Sequence, residues 1–245
     1  GGVGVAELKE RLSRVSSAAK SIITSSPNVT SITVLLLGDL IEGIWIYPGQ
    51  VPKGVDLRFE AHRVSRQILE TSRVVASLIS ELHSLGLPTR VVSVPGNHGR
   101  VAPNVSDESD NFDTLCACFA KELLSDPDIH WEISHTWIHQ FDASGVRIAA
   151  THGDKWSGTF WKLHELIPKW VHSGVIDYPD IVVVGHRHEF ACCSIGRTVV
   201  VQNGALDGGS GWLTASVGLS ASPCQVVLVV SRKHGLEAAY PVFVD

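Results

Sequence analysis

Four apolar runs in this chain end the same way. Ser31 to Leu37 closes on Gly38-Asp39, and Thr89 to Val94 runs into "GNHG" at 96–99. Val146 to Thr151 stops at "HGD", and Ile181 to Val184 at "GHRH". Short β-branched runs bounded by glycine read as buried strands. Each is thus a strand with a polar, chelating residue just past its carboxyl end. In open α/β sheets, ligands gather beyond those ends. The repetition therefore constrains fold and site together.

Between the strands lie helix-like segments. Val5 to Ser25 spaces Leu8, Leu12, Val15, Ala19 and Ile22 at three to four residues. Leu57 to Leu85 carries a similar stripe and is expected as one long helix capped by Gly86. Gly43 to Val55 reads as a loop, and Asn111 to Ser125 as a helix. Further strands are expected around Thr198 to Gln202, Gln225 to Ser231 and Ala238 to Val244, the last two joined at "RKHG" as a hairpin. This order predicts an α/β fold with helices covering sheet faces.

With 245 residues, 44% of them hydrophobic, the chain has ample core. No apolar run reaches bilayer length, and nothing at the start reads as a secretory signal. A net charge of -5 does not advertise a long nucleic-acid footprint. The five cysteines (Cys116, Cys118, Cys192, Cys193 and Cys224) are odd in number and irregular in spacing. They are expected as small core residues of a reducing compartment.

The chelating residues form a coherent set. Asp39 offers a carboxylate, Asn97 an amide oxygen, and His152, His186 and His188 imidazoles. Mixed oxygen and nitrogen donors suit Mn, Fe, Co or Zn better than Ca or Mg. One carboxylate can bridge two ions, and His186 and His188, one residue apart, can reach them from different angles. Gly38, Gly96, Gly99, Gly153 and Gly185 permit close backbone approach. Singly, each motif is an ordinary turn; the ordered set is what points to a site. The remaining histidines lack this setting and are expected on the surface or in packing.

"GDLIEG", "GNHGR", "THGD" and "GHRHEF", with "DNFDTL" at 110–115 and the closing "YPVFVD", resemble the successive blocks of the calcineurin-like metallophosphoesterases, in particular phage and prophage members. The resemblance implies a four-layer sandwich, two mixed β-sheets flanked by helices, with a two-metal site. It implies that Asp39 bridges two divalent ions, manganese first, with Fe, Zn or Co as alternatives. Asn97, His152 and His186 would hold one ion and His188 the other, while His98 contacts the phosphate and protonates the leaving group. Arg100 and Arg187 are candidate phosphate partners. The expected reaction is hydrolysis of a phosphodiester, with nucleic acid or nucleotides as substrates. A phosphomonoesterase or protein phosphatase, and a metal-binding module without turnover, are the alternatives. No membrane partner is expected, and the compartment is the cytoplasm, a host's if phage-encoded.

Two departures stand out. The family's upstream Asp-x-His block is missing before Asp39; the only Asp-x-His is Asp128-Ile129-His130, out of order. The chain also lacks Met and opens on Gly1-Gly2. Both lead to the expectation of a single domain over 1–245, truncated at its N-terminus, with one metal position half-built. Moreover, "GNH" is followed by Gly99 rather than a carboxylate. His98 is therefore expected to find an orienting partner elsewhere, with Asp154, Asp107 and Asp110 as candidates, or to lack one. Finally, "GDKWSGTFWKLHELIPKW" at 153–170 interleaves Lys155, Lys162 and Lys169 with Trp156, Phe160, Trp161 and Trp170. Such a segment either stacks a nucleic-acid strand or packs its tryptophans inward as an amphipathic helix.

Overall fold

The structure, a computed structural model, describes residues 5–26, 28–44, 46–47, 63–103, 108–208 and 221–245. It is mixed α/β, as expected. The chain forms two compact units, residues 16–137 and residues 1–15 with 138–245. The division falls within the first helix, α1 (Val5–Ser25).

The first unit holds a three-stranded sheet of β1 (Ile32–Leu36), β2 (Thr89–Ser93) and β3 (Ile129–Ile133), all parallel. Parallel neighbours need long crossovers. These are α2 (Val64–His83) and α3 (Phe112–Leu124), which pack on each other. Ile41 beyond β1, Ile68 of α2 and Cys116 of α3 share a buried cluster, with Leu40, Val64 and Phe112 against it. The chain that leaves β1 is thereby gripped by both helices. That grip positions Asp39.

The second unit has a five-stranded sheet in the order β4-β5-β6-β8-β7. Its strands are β4 (Ile138–Ala143), β5 (Val146–Thr151), β6 (Ile181–Val184), β7 (Ala191–Ile195) and β8 (Thr198–Gln202). β5, β6 and β8 run parallel, and β4 and β7 are antiparallel edges. α4 (Leu163–His172) lies in the β5–β6 crossover. The central β6 is buried at every residue, which is why it reads as an unbroken apolar run. β9 (Cys224–Ser231) and β10 (Gly235–Phe243) form the expected antiparallel hairpin.

Several expectations need correction. Among the described residues the three-stranded sheet is parallel throughout, because a helix separates each of its strands. The long helix begins at Val64, with Arg63 extended at φ -81, ψ 125; residues 57–62 lie outside those described, as does most of the 43–55 loop. It ends at His83 with Ser84 as its C-cap, two residues short of the expected Leu85, and Gly86 beyond takes φ +75 and donates its N–H to His83 O. The cysteines are not uniformly core: Cys116 and Cys224 are buried, Cys118 and Cys193 half-buried, and Cys192 exposed on an edge strand. β3 and β4 are strands that the sequence pattern does not announce, because His130, Glu132, His139, Gln140 and Asp142 break up their apolar runs.

Candidate functional site

In the unit of residues 16–137, β1 and β2 are adjacent and parallel, so their carboxyl ends lie side by side. Asp39 follows β1 at φ +52, an uncommon backbone conformation for a non-glycine residue. Its Oδ1 accepts the His98 backbone N–H at 2.8 Å. Asp39, Asn97 and His98 are therefore brought together. Asn97 is buried, and its Nδ2 donates to Tyr47 Oη at 3.0 Å. With its NH2 engaged there, the amide carbonyl is the end suited to a cation.

His98 is half-buried. Its Nδ1 lies 3.1 Å from Glu42 O, and the Tyr47 ring sits 5.1 Å from the imidazole. Glu42 Oε2 is 3.8 Å from the same nitrogen. Glu42 is thus a partner of His98, mainly through its backbone carbonyl, and Asp110 is not; Asp107 lies outside the described residues. Glu42 stands in the quoted "GDLIEG" block, but nothing in that block links it to His98.

The glycines are explained by space. A Cβ on Gly96 would stand 2.2 Å from Asp39 N and 2.3 Å from Asp39 Oδ1. One on Gly99 would meet Asn111 Oδ1 at 2.2 Å. Sequence reasoning misses the residue these glycines crowd, Asp113. It is fully buried, and its carboxylate accepts N–H bonds from Asp39 and Gly96 (both 2.8 Å) and Leu40 (2.9 Å). The signal is present in "DNFDTL". One turn on, burial and the nearby Asp113 charge push the Cys116 thiol up to about 12.

In the other unit, β5 and β6 are likewise parallel neighbours. His152 follows β5 and is buried. The Gly185 N–H donates to His152 O at 2.9 Å, joining the two strand ends. His152 Nε2 and His186 Nδ1 stand 3.1 Å apart, with the rings edge to face. The Arg187 N–H returns to Gly185 O at 2.8 Å, closing a γ-turn about His186 at φ +67. A positive-φ γ-turn is the rare, strained form. His188 is also left-handed, at φ +62. Its Nδ1 is buried without a hydrogen bond among the described residues, 3.9 Å from Asp207 Oδ1.

Arg187 points elsewhere. Its guanidinium donates to Gly158 O at 2.5 Å and Trp156 O at 3.2 Å, and burial lowers its pKa. It ties the imidazole-bearing loop to the tryptophan-rich segment. Arg100 pairs in an isolated bridge with Asn111. The 153–170 segment is mixed in its exposure. Trp170 is buried and packs near Trp156, whereas Trp161 is 61% exposed and stacks on His164. Of the out-of-order Asp-x-His, His130 lies on β3, exposed, 3.3 Å from Glu132.

No helix among the described residues is long and apolar enough to cross a membrane. No protein-family model matches the sequence, and no curated relative does. Solved structures that resemble the chain include an archaeal phosphodiesterase, 15% identical over 91% of this chain and 90% of that one, with a TM-score of 0.43. A single-substitution variant of Vps29 from Entamoeba histolytica is 10% identical over 87% and 99%, with a TM-score of 0.40. A predicted phosphoesterase from Streptococcus pneumoniae is 12% identical over 68% and 90%, with a TM-score of 0.35.

Proposed function

We propose that this chain is a metal-dependent phosphoesterase that hydrolyses phosphodiesters, with Asp39, Asn97, His152, His186 and His188 as its metal ligands and His98 as its general acid. One observation carries the reading: two imidazole nitrogens, on the buried His152 and on His186, face each other at 3.1 Å beside a strained turn. Strain of this kind persists where surrounding structure enforces it, and it clusters at working sites. Of the five non-glycine residues with positive φ among those described, three are proposed ligands: Asp39, His186 and His188.

The donor set fits a borderline divalent ion such as Mn, Fe, Co or Zn. The buried, unbonded Nδ1 of His188 supports that fit, since an orphaned buried nitrogen is costly without a partner. When bound, such ions supply Lewis-acid polarisation of a phosphoryl oxygen and a water acidic enough to be a nucleophile at neutral pH.

The chain's own residues would do the rest. Asn97, with its NH2 held by Tyr47, presents a fixed oxygen. In His98, the Nδ1–H donates to Glu42 O, which makes Nε2 the nitrogen that delivers a proton to the leaving oxygen. Tyr47 against the ring limits its rotation. The 61% exposure of Trp161 supports nucleic acid as the phosphodiester, because an exposed indole stacks on any base.

The test is hydrolysis of bis-p-nitrophenyl phosphate against p-nitrophenyl phosphate, with added Mn²⁺ and after chelation. Metal-dependent turnover of the diester is expected. His98→Ala should lower that turnover by about 10²–10⁴-fold while bound metal stays constant. Full activity in His98→Ala would remove its assigned role. Faster turnover of the monoester would favour the phosphomonoesterase reading, and metal uptake without turnover of either ester a binding module.

A further inference from the structure

We infer that Asp113 is the positioning residue of this site: its buried carboxylate fixes the two loops that carry Asp39, Asn97 and His98 in one arrangement. The inference rests on the function proposed above. Three backbone N–H groups converge on this one side chain. Oδ2 accepts from Asp39 and Gly96, and Oδ1 from Leu40. These donors come from two loops about 57 residues apart in sequence, after β1 and after β2.

The segment around Asp113 is itself held. Asn111 caps α3 by accepting the Asp113 N–H at 2.8 Å, and its Nδ2 donates to Gly96 O at 2.8 Å. The Phe112 N–H donates to Gly99 O at 2.7 Å. Thus the start of α3 contacts both sides of the Asn97-His98 loop, and Asp113 reaches across to Asp39.

The consequence is specific. Asp39 has a left-handed backbone, and its N–H points at the Asp113 carboxylate. Its own Oδ1 then receives the His98 N–H. A chain of bonds therefore runs from Asp113 through Asp39 to His98. A carboxylate suits this place because each of its oxygens accepts and neither donates. An amide does not. Turned to keep both Oδ2 bonds, the side chain introduced by Asp113→Asn would aim its NH2 at the Leu40 N–H.

The experiment compares Asp113→Asn and Asp113→Ala with Cys116→Ala. The control lies on the same helix, is equally buried and faces the α2 side, near Ile68 O. Amide hydrogen exchange on metal-free protein and Mn²⁺ titration calorimetry are the readouts, at a temperature where circular dichroism shows each variant folded. In Asp113→Asn, which keeps the Asp39 bond, exchange should quicken at Leu40. Mn²⁺ affinity should fall about tenfold to a hundredfold, as for groups that orient metal ligands. Asp113→Ala should extend the exchange effect to Asp39 and Gly96 and, one bond further along the chain, to His98, and Cys116→Ala should leave both readouts unchanged.

Unchanged exchange at His98 in Asp113→Ala would overturn the inference. So would altered exchange with undiminished affinity, or an equal loss of affinity in Cys116→Ala. If the wild-type chain took up no Mn²⁺, the functional proposal would fail separately, and exchange alone would decide the role of Asp113.

Discussion

At Gly96 a single methyl group separates a working loop from a broken one. The Cβ it lacks would overlap the Asp39 backbone nitrogen, which cannot swing aside, and the Asp39 Oδ1 that accepts the His98 N–H. Gly96→Ala should therefore cost about 1–3 kcal/mol and weaken Mn²⁺ binding. Gly174→Ala is the comparison. It has open space but φ +72, so it should cost about 1–2 kcal/mol of backbone strain alone and leave metal binding intact. Urea denaturation with metal titration on both variants checks this; equal loss of affinity would break the link to Asp39. At this scale the sequence is informative about chemistry and poor about orientation. Asp39, Asn97, His152 and His186 can be picked out because chelating residues beside glycines at strand ends are conspicuous. Glu42 cannot be assigned to His98, because a backbone carbonyl acts there and carbonyls leave no mark in the residue type. Asp113 is hidden for a related reason: the groups it holds at Asp39, Leu40 and Gly96 are all backbone N–H groups.

Among the elements, the second half of α1 and α2 are joined by a polar clasp. Ser16 Oγ donates to Glu81 Oε2 at 2.6 Å, and Lys20 Nζ lies 3.3 Å from the same oxygen. Together these hold the Glu81 carboxyl below its usual range, with the Ser16 bond the larger cause. A lowered folded pKa gives stability that is full above the unfolded value, near 4.5, and is lost as pH falls through the folded value. Ser16→Ala should therefore cost on the order of 1 kcal/mol at pH 7 and less in acid, once Glu81 is protonated in either chain. Denaturation at neutral pH and again well below the unfolded value checks the sign; a penalty that grew in acid would contradict it. The strongly periodic elements are legible, including α1, β1, β5, β6, β8 and the β9–β10 hairpin. β3 and β4 are not. Both are partly solvated, and a strand that shows polar side chains lacks the apolar run that advertises β6.

Over the whole molecule, 25 acidic residues outweigh 20 basic ones, and this limits how the proposed nucleic-acid substrate could be held. Long basic grooves bind by releasing counterions, with a slope near about -0.7 per phosphate contact on single strands. Here the aromatic segment offers Lys155, Lys162 and Lys169, and two of these already face carboxylates. Lys162 Nζ is 2.6 Å from Glu165 and Lys155 Nζ is 3.9 Å from Asp154. Three lysines set an upper limit of about -2 on the slope of log affinity against log salt. Stacking on Trp161 should then supply a large share of the affinity, about 1–3 kcal/mol. Trp161→Ala is accordingly expected to weaken binding of a labelled single-stranded oligonucleotide about fivefold to a hundredfold, with the salt slope unchanged. Hydrolysis of bis-p-nitrophenyl phosphate should hardly respond, since so small an ester does not need the platform. Binding measured between about 50 and 200 mM salt on both chains separates the two contributions. A slope much steeper than about -2 would mean that a basic surface elsewhere holds the strand. Unchanged affinity in Trp161→Ala would mean that its exposed face is not where bases stack.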